Sequence, residues 1–179
     1  MHAEHLEAVH GVGPHTISVP RIKRADDIDP STFANGIDDE IFAKLVALIR
    51  IAVPYTGMIV STRESQAVRE KVLKLGISQI SGGSRTSVGG YTEEERPTDT
   101  EQFDVSDQRT LDEVVHWLMD LGYIPSFCTA CYRAGRTGDR FMELCKSKQI
   151  QNCCHPNALM TLKEYLMDYA SAETKAIGE

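Results

Sequence analysis

Apolar positions along the chain switch between two periods. His15-Thr16-Ile17-Ser18-Val19-Pro20 reads as a short strand, and a polar stretch with Pro30 and Gly36 follows it. Asp38-Asp39-Glu40 then places acids where a helix dipole favours them, with Ile41, Phe42, Leu45, Val46, Leu48 and Ile49 at helical spacing behind. Pro54 ends that helix. Gly57-Met58-Ile59-Val60-Ser61 reads as a second strand, Glu64 to Leu75 as a second helix closed by Gly76, and Ile77 to Ser81 as a third strand. The third strand runs into Ser81-Gly82-Gly83-Ser84, a turn that glycine makes cheaply. Thr110-Leu111-Asp112-Glu113 is a capping box that opens a helix to Leu121, with Gly122 closing it. A further helix is expected from Gly138 to Ser147.

Strands separated by helices call for a parallel sheet, because a parallel crossover needs a helix. The fold class is therefore α/β. Such units fill only part of a (β/α)8 barrel, whose usual size is about 250 residues. Layer rules leave two architectures open: the C-terminal part of a barrel enzyme followed by a helical extension, or a small complete α/β domain. The expected boundaries are residues 1–91 for the βα units, 92–109 for an acidic loop and 110–179 for a helical domain.

Composition narrows the function classes. Hydrophobic residues make up 41% and charged residues 25% of the 179, which is ordinary for a globular chain. The net charge of -7 counts against a nucleic-acid or anionic-membrane binder, since both gain affinity from clustered Lys and Arg. Residues 92–107 hold seven acids against Arg96 alone, so this segment, expected to be a solvated loop, carries most of the acidity. No apolar run approaches the roughly 20 residues of a membrane span. The start, Met1-His2-Ala3-Glu4-His5, shows no signal peptide, and a cytoplasmic location is expected.

All five cysteines lie between positions 128 and 154, a clustering that suits metal binding better than a disulfide framework. Cys128, Cys131 and Cys154 form C-x2-C-x22-C. Thiolates are soft ligands and favour zinc or iron–sulfur clusters over Mg²⁺ or Ca²⁺. Three readings stay open on spacing alone. One is a cluster with an open iron, another a closed zinc site completed by His155 or Cys153, and the third a redox C-x-x-C. Cys145 is expected to be a buried, inert thiol, and Cys153 a passive neighbour. Nearby lie Tyr132, Arg133, Arg136 and Arg140, of which the arginines can offset thiolate charge or bind an anion, or simply pair with surface acids. The strand ends carry Arg21, Ser61-Thr62-Arg63-Glu64 and Ser81-Gly82-Gly83-Ser84 with Arg85. A guanidinium beside hydroxyls can hold a carboxylate, although Arg63 and Glu64 also read as a local ion pair. His2 and His5 share a helical face at i, i+3. With His10 and His15 they are either surface histidines or a source of a further metal ligand.

Several stretches resemble one family. They are Gly11 to Arg21 (GVGPHTISVPR), Val53 to Ile59 (VPYTGMI), Gly76 to Ser81 (GISQIS), Gly122 to Arg133 (GYIPSFCTACYR) and Pro156-Asn157-Ala158 after Cys154. Together they resemble the radical-SAM tyrosine lyases of [FeFe]-hydrogenase maturation, over about residues 1–170. The 2-iminoacetate synthases of thiamine synthesis share the barrel but are not expected to carry this cysteine spacing. The resemblance implies the C-terminal part of a (β/α)8 radical-SAM barrel with a helical extension carrying an iron–sulfur site. The implied activity is radical cleavage of tyrosine to p-cresol and dehydroglycine, then formation of carbon monoxide and cyanide at an auxiliary cluster.

By the same resemblance, Cys128, Cys131 and Cys154 would hold an auxiliary [4Fe-4S] cluster with an additional labile iron. His2 or His5, with His2 slightly favoured, would bind that outer iron. Arg63, with Ser61 and Thr62, would grip the tyrosine carboxylate, and Ser81, Gly82, Gly83 and Ser84 would form a cofactor-binding turn. Implied cofactors of the full-length family are S-adenosylmethionine and a second [4Fe-4S] cluster. Implied partners are tyrosine-derived small molecules, a hydrogenase maturation scaffold protein and the missing N-terminal half of the barrel. One departure stands out: the C-x3-C-x2-C of the radical cluster occurs nowhere in the sequence. The polypeptide is therefore expected to be inactive alone, whether a truncation, a split gene or a misplaced start. A zinc-stabilised interaction module is the non-enzymatic alternative.

Overall fold

The computed structural model describes residues 1–25, 27–87, 90–91 and 104–178. Two compact units emerge, Met1–His15 with Arg109–Glu179, and Thr16–Gln108. The N-terminal helix α1 (His2–His10) thus groups with the C-terminal helices and not with the strands that directly follow it.

In the unit Thr16–Gln108, β1 (Thr16–Ser18), β2 (Gly57–Val60) and β3 (Gln79–Ile80) form a parallel sheet in that order, alternating with α2 (Asp39–Ala52) and α3 (Gln66–Leu73). The helices start where side chains cap them: Asp38 accepts from the Ile41 N–H at 2.7 Å, and Ser65 from the Val68 N–H at 3.4 Å. Met58 and Val60 point into a core with Phe42, Val46, Val68, Val72 and Ile77. Each such buried side chain contributes about 1.5–3 kcal/mol relative to exposure. β3 is shorter than expected: the Ser78 N–H donates to the Met58 carbonyl at 3.0 Å, but the Met58 N–H donates to the Ser78 hydroxyl at 3.1 Å and not to a backbone carbonyl. Gly76 sits at φ 103°, and a Cβ there would come within 2.9 Å of Arg50 Nε. That guanidinium donates to the carbonyls of Gly76 (2.7 Å) and Thr56 (2.8 Å), fixing the turn between α3 and β3.

The solvated-loop reading of residues 92–107 fails at its end. Residues 92–103 lie outside those described, but Val105 and Asp107 are buried. Asp107 pairs with the fully buried Arg69, and its N–H donates to the Thr62 carbonyl at 3.0 Å.

In the other unit, α1 is accompanied by α4 (Leu111–Asp120), α5 (Ala130–Arg133), α6 (Gly138–Lys146), α7 (Gln151–Asp168) and α8 (Ala172–Gly178). The expected capping box is present at Thr110 and Glu113. Val115 packs with Leu162, Tyr165 and Leu166. Asp112 ties α4 to α7 and α8, accepting from the Tyr165 hydroxyl at 3.0 Å and the Thr174 hydroxyl at 2.8 Å. Glu7 of α1 pairs with Lys146 of α6, and His15 stacks on Phe141 with centroids 4.2 Å apart. Among the described residues no helix is long and apolar enough to cross a membrane.

Candidate metal centre

The cysteines come from the segment before α5, from α5 itself, from α6 and from the start of α7. Cys128 precedes the single turn of α5, and the Ala130 N–H donates to its sulfur at 3.4 Å. Cys131 lies on that turn, and its carbonyl accepts from the Arg136 N–H at 2.9 Å. Cys153 and Cys154 occupy the opening turn of α7, just ahead of Pro156, which cannot donate into the helix ladder. Arg136 bridges the two groups: its Nη1 donates to Cys153 Sγ at 3.3 Å.

The thiols share one electrostatic neighbourhood. Burial pushes the Cys154 thiol above the usual range, and repulsion from Cys131, Cys128 and Cys153 adds to the shift while Arg136 opposes it. Cys145 is raised by burial, then by Cys154 and Cys131. Of the expectation that Cys145 is a buried, inert thiol, the burial is corrected. The residue is half-buried, and α6 carries it to the same thiol group. Cys128 and Cys154 are exposed and Cys131 half-buried, so the group faces solvent. Among the described residues no three His, Cys, Asp or Glu side chains are gathered tightly enough to hold a single metal ion. The donor set nevertheless fits an iron–sulfur group: soft ligands, mutual repulsion that a cation relieves, an N–H on one sulfur and a guanidinium beside another. His2 and His5 are exposed on α1, in the same unit as the cysteines.

The strand-end residues fall in the other unit, at the C-terminal ends of neighbouring parallel strands. Ser61 and Arg63 are half-buried, Thr62 is buried, and the Ser61 hydroxyl accepts from the Arg63 N–H at 3.3 Å. Ser81, Gly82, Gly83 and Ser84 are half-buried, with Gly83 at φ 63°. Two features here depart from the sequence reading. Buried Glu64 pairs with Arg21, which donates to it from both Nε and Nη2; an Arg63–Glu64 local pair is not what holds it. Arg21 also reaches Asp39 at 2.8 Å, and its hydrogen bond to Glu64 first, against the effect of burial, raises its already high pKa. Arg69 is a residue that no sequence motif marks. It donates to Asp107 and to the Ser81 carbonyl, holding the end of β3 in place. Its only sequence signal is a cation between Val68 and Val72, on a face that is otherwise apolar.

The fold and site define a class. Residues 18–124 match the Biotin and Thiamin Synthesis associated domain, and the chain belongs to that family. Over 98% of its length it superposes on HydG, described as a maturase of the [FeFe]-hydrogenase, with a TM-score of 0.92 and 57% identity, covering 38% of that chain. HydG from Carboxydothermus hydrogenoformans matches with a TM-score of 0.72 and 43% identity, over 98% of this chain and 36% of the other. The 2-iminoacetate synthases of Escherichia coli (strain K12) and Salmonella typhimurium (strain LT2) are each 29% identical over 129 residues, 70% of this chain and 33% of theirs. The chain thus spans about a third of the length of these relatives and is similar to a C-terminal part of HydG.

Proposed function

We propose that this chain is the C-terminal portion of a radical-SAM tyrosine lyase that makes carbon monoxide and cyanide from tyrosine for [FeFe]-hydrogenase assembly. Its own contribution is the auxiliary-cluster end of the enzyme, joined to the last units of a (β/α)8 barrel. The observation that carries this reading is the convergence of Cys128, Cys131 and Cys154 on one neighbourhood, in a chain 57% identical to HydG over nearly its whole length.

Soft thiolates suit either zinc or a polynuclear iron–sulfur centre, and the likeness to HydG favours the cluster. When bound, an auxiliary [4Fe-4S] cluster with a labile outer iron supplies an open iron position where small ligands are held. The protein does the rest. The three cysteines fix the cluster, Arg136 offsets thiolate charge, and His2 or His5 is the candidate ligand of the outer iron. At the strand ends, Arg63 with Ser61 and Thr62 orients the tyrosine carboxylate, and Ser81, Gly82, Gly83 and Ser84 cradle cofactor. Reductive cleavage of S-adenosylmethionine requires a further [4Fe-4S] cluster, whose C-x3-C-x2-C ligands are not among these 179 residues. The implied partners are the rest of the barrel and a maturation scaffold protein that accepts the product.

Anaerobic reconstitution with iron and sulfide tests the reading. A cubane EPR signal is expected in the wild type and lost in Cys128→Ala/Cys131→Ala. Tightly held zinc at about one per chain, with no cluster ever formed, would instead establish the zinc-stabilised interaction module.

A further inference from the structure

Leu111, Phe127, Thr161, Glu164, Tyr165 and Tyr169 line an open hollow of about 490 Å³. We propose that this hollow binds a small organic cation, an alkylated ammonium carried on an apolar body. The volume falls within the range of small-molecule sites. Thr161, Glu164 and Tyr165 lie on one face of α7, with Tyr169 at its C-terminal cap. Phe127 stacks on Tyr165 with centroids 4.8 Å apart, and Tyr169 lies 6.1 Å from Tyr165, tilted by 31°. Two of these rings are held before any ligand arrives. The Tyr165 hydroxyl donates to Asp112 at 3.0 Å, and the Phe127 N–H donates to the Thr161 hydroxyl at 3.4 Å. Leu111, Phe127 and Tyr169 are nevertheless exposed, so the hollow opens to solvent with its apolar lining already in place. Rings fixed in advance cost little to order on binding.

The chemistry of the lining selects the ligand. Glu164 is exposed, and among the described residues its carboxylate has neither a hydrogen bond nor an ion pair. No cation among the described residues lines the hollow, so its one negative charge is unmet and an anion finds no partner there. The Thr161 hydroxyl is already committed, donating to the Ala158 carbonyl at 3.2 Å. A primary ammonium carries three donors and would give up its water for a single carboxylate. An alkylated ammonium has no such donors to satisfy, and both the carboxylate and the negative faces of the rings attract it. Its apolar body meets Leu111 and the aromatic rings. The assignment does not depend on what fills the cysteines, so it stands or falls apart from the cluster reading.

Titration calorimetry of the full chain with benzyltrimethylammonium chloride, at constant ionic strength, tests it. Saturable binding is expected, with benzyl alcohol, which keeps the ring but lacks the charge, binding more weakly. Glu164→Gln is expected to weaken the cation about fivefold, the loss of one exposed Coulomb partner. Tyr169→Leu keeps the apolar contact but removes a ring face, and is expected to weaken it about threefold, whereas Tyr169→Phe restores the wild-type affinity. Glu173→Gln, exposed and outside the hollow, leaves binding unchanged. The proposal is overturned by the absence of saturable binding or by benzyl alcohol binding as tightly as the cation. Undiminished affinity in both Glu164→Gln and Tyr169→Leu, or tighter binding of sodium benzoate, also overturns it.

Discussion

Arg69 and Asp107 form a buried ion pair that closes one end of the sheet. The guanidinium also donates to the Ser81 carbonyl, and the Asp107 N–H donates to the Thr62 carbonyl at 3.0 Å. One pair therefore holds the ends of β2 and β3 together, beside the residues proposed to bind substrate and cofactor.

Removing one partner of such a pair strands a charge that water cannot reach, and costs about 3–5 kcal/mol. Replacing both by apolar groups of similar volume costs far less. Asp107→Ala is expected to lower the urea midpoint strongly, and Arg69→Met/Asp107→Leu to recover much of the loss. A single variant melting with the wild type at unchanged slope would show that the pair does not hold the sheet end.

What the sequence disclosed follows how local each cause is. Asp38 and Thr110 cap their helices with side chains a few residues from the N–H groups they satisfy, so those starts were legible, whereas α3 begins after its cap Ser65 and not at the expected Glu64. The C-x2-C-x22-C spacing was legible for the same reason at its first two cysteines. The partner of Glu64 was not. Arg63 is its neighbour in the chain, but the parallel crossover brings Arg21 from 43 residues away. Asp107 was read with the acids before it, since nothing local separates a solvated acid from one facing a buried arginine. The 18 residues of α7 were hidden by a polar opening turn and by Pro156, which mask the helical period. Cys145 shows no motif spacing, and only the position of α6 reveals its company.

The Asp112 carboxylate gives a pH dependence with a definite sign. Burial works against its charge, but hydrogen bonds from Ser171, Thr174 and Tyr165 hold its pKa below the ordinary value. Burial, then the bond to Asp112, pushes Tyr165 up to about 12 from 10.0. A tyrosine whose folded pKa exceeds its unfolded value stabilises fully below the unfolded value, and that stability is lost as pH rises through the folded one. The unit containing α4 and α7 is expected to weaken between about pH 10 and 12. Tyr165→Phe, which has no proton to lose there, flattens this part of the profile while losing a hydrogen bond worth about 1 kcal/mol at neutral pH. Parallel slopes for the two proteins in urea midpoints measured across that range would contradict the assignment.

Metal uptake at the cysteines carries the opposite sign. Only the thiolate is a ligand, so each bound cysteine must give up its proton. Burial and neighbouring thiols raise Cys154 above its ordinary value, so the metal-free chain holds it protonated at neutral pH. The apparent affinity for cobalt(II), a thiolate reporter, is expected to rise between about pH 7 and 9 as that proton becomes easier to remove. Arg136 opposes the rise in the Cys154 pKa, so Arg136→Met moves the uptake curve to higher pH without abolishing it. Cys154→Ala removes a ligand and weakens uptake at every pH, whereas Cys145→Ala leaves the sulfur-to-cobalt absorption largely intact. The reverse ranking of those two cysteine variants would move the third ligand from α7 to α6.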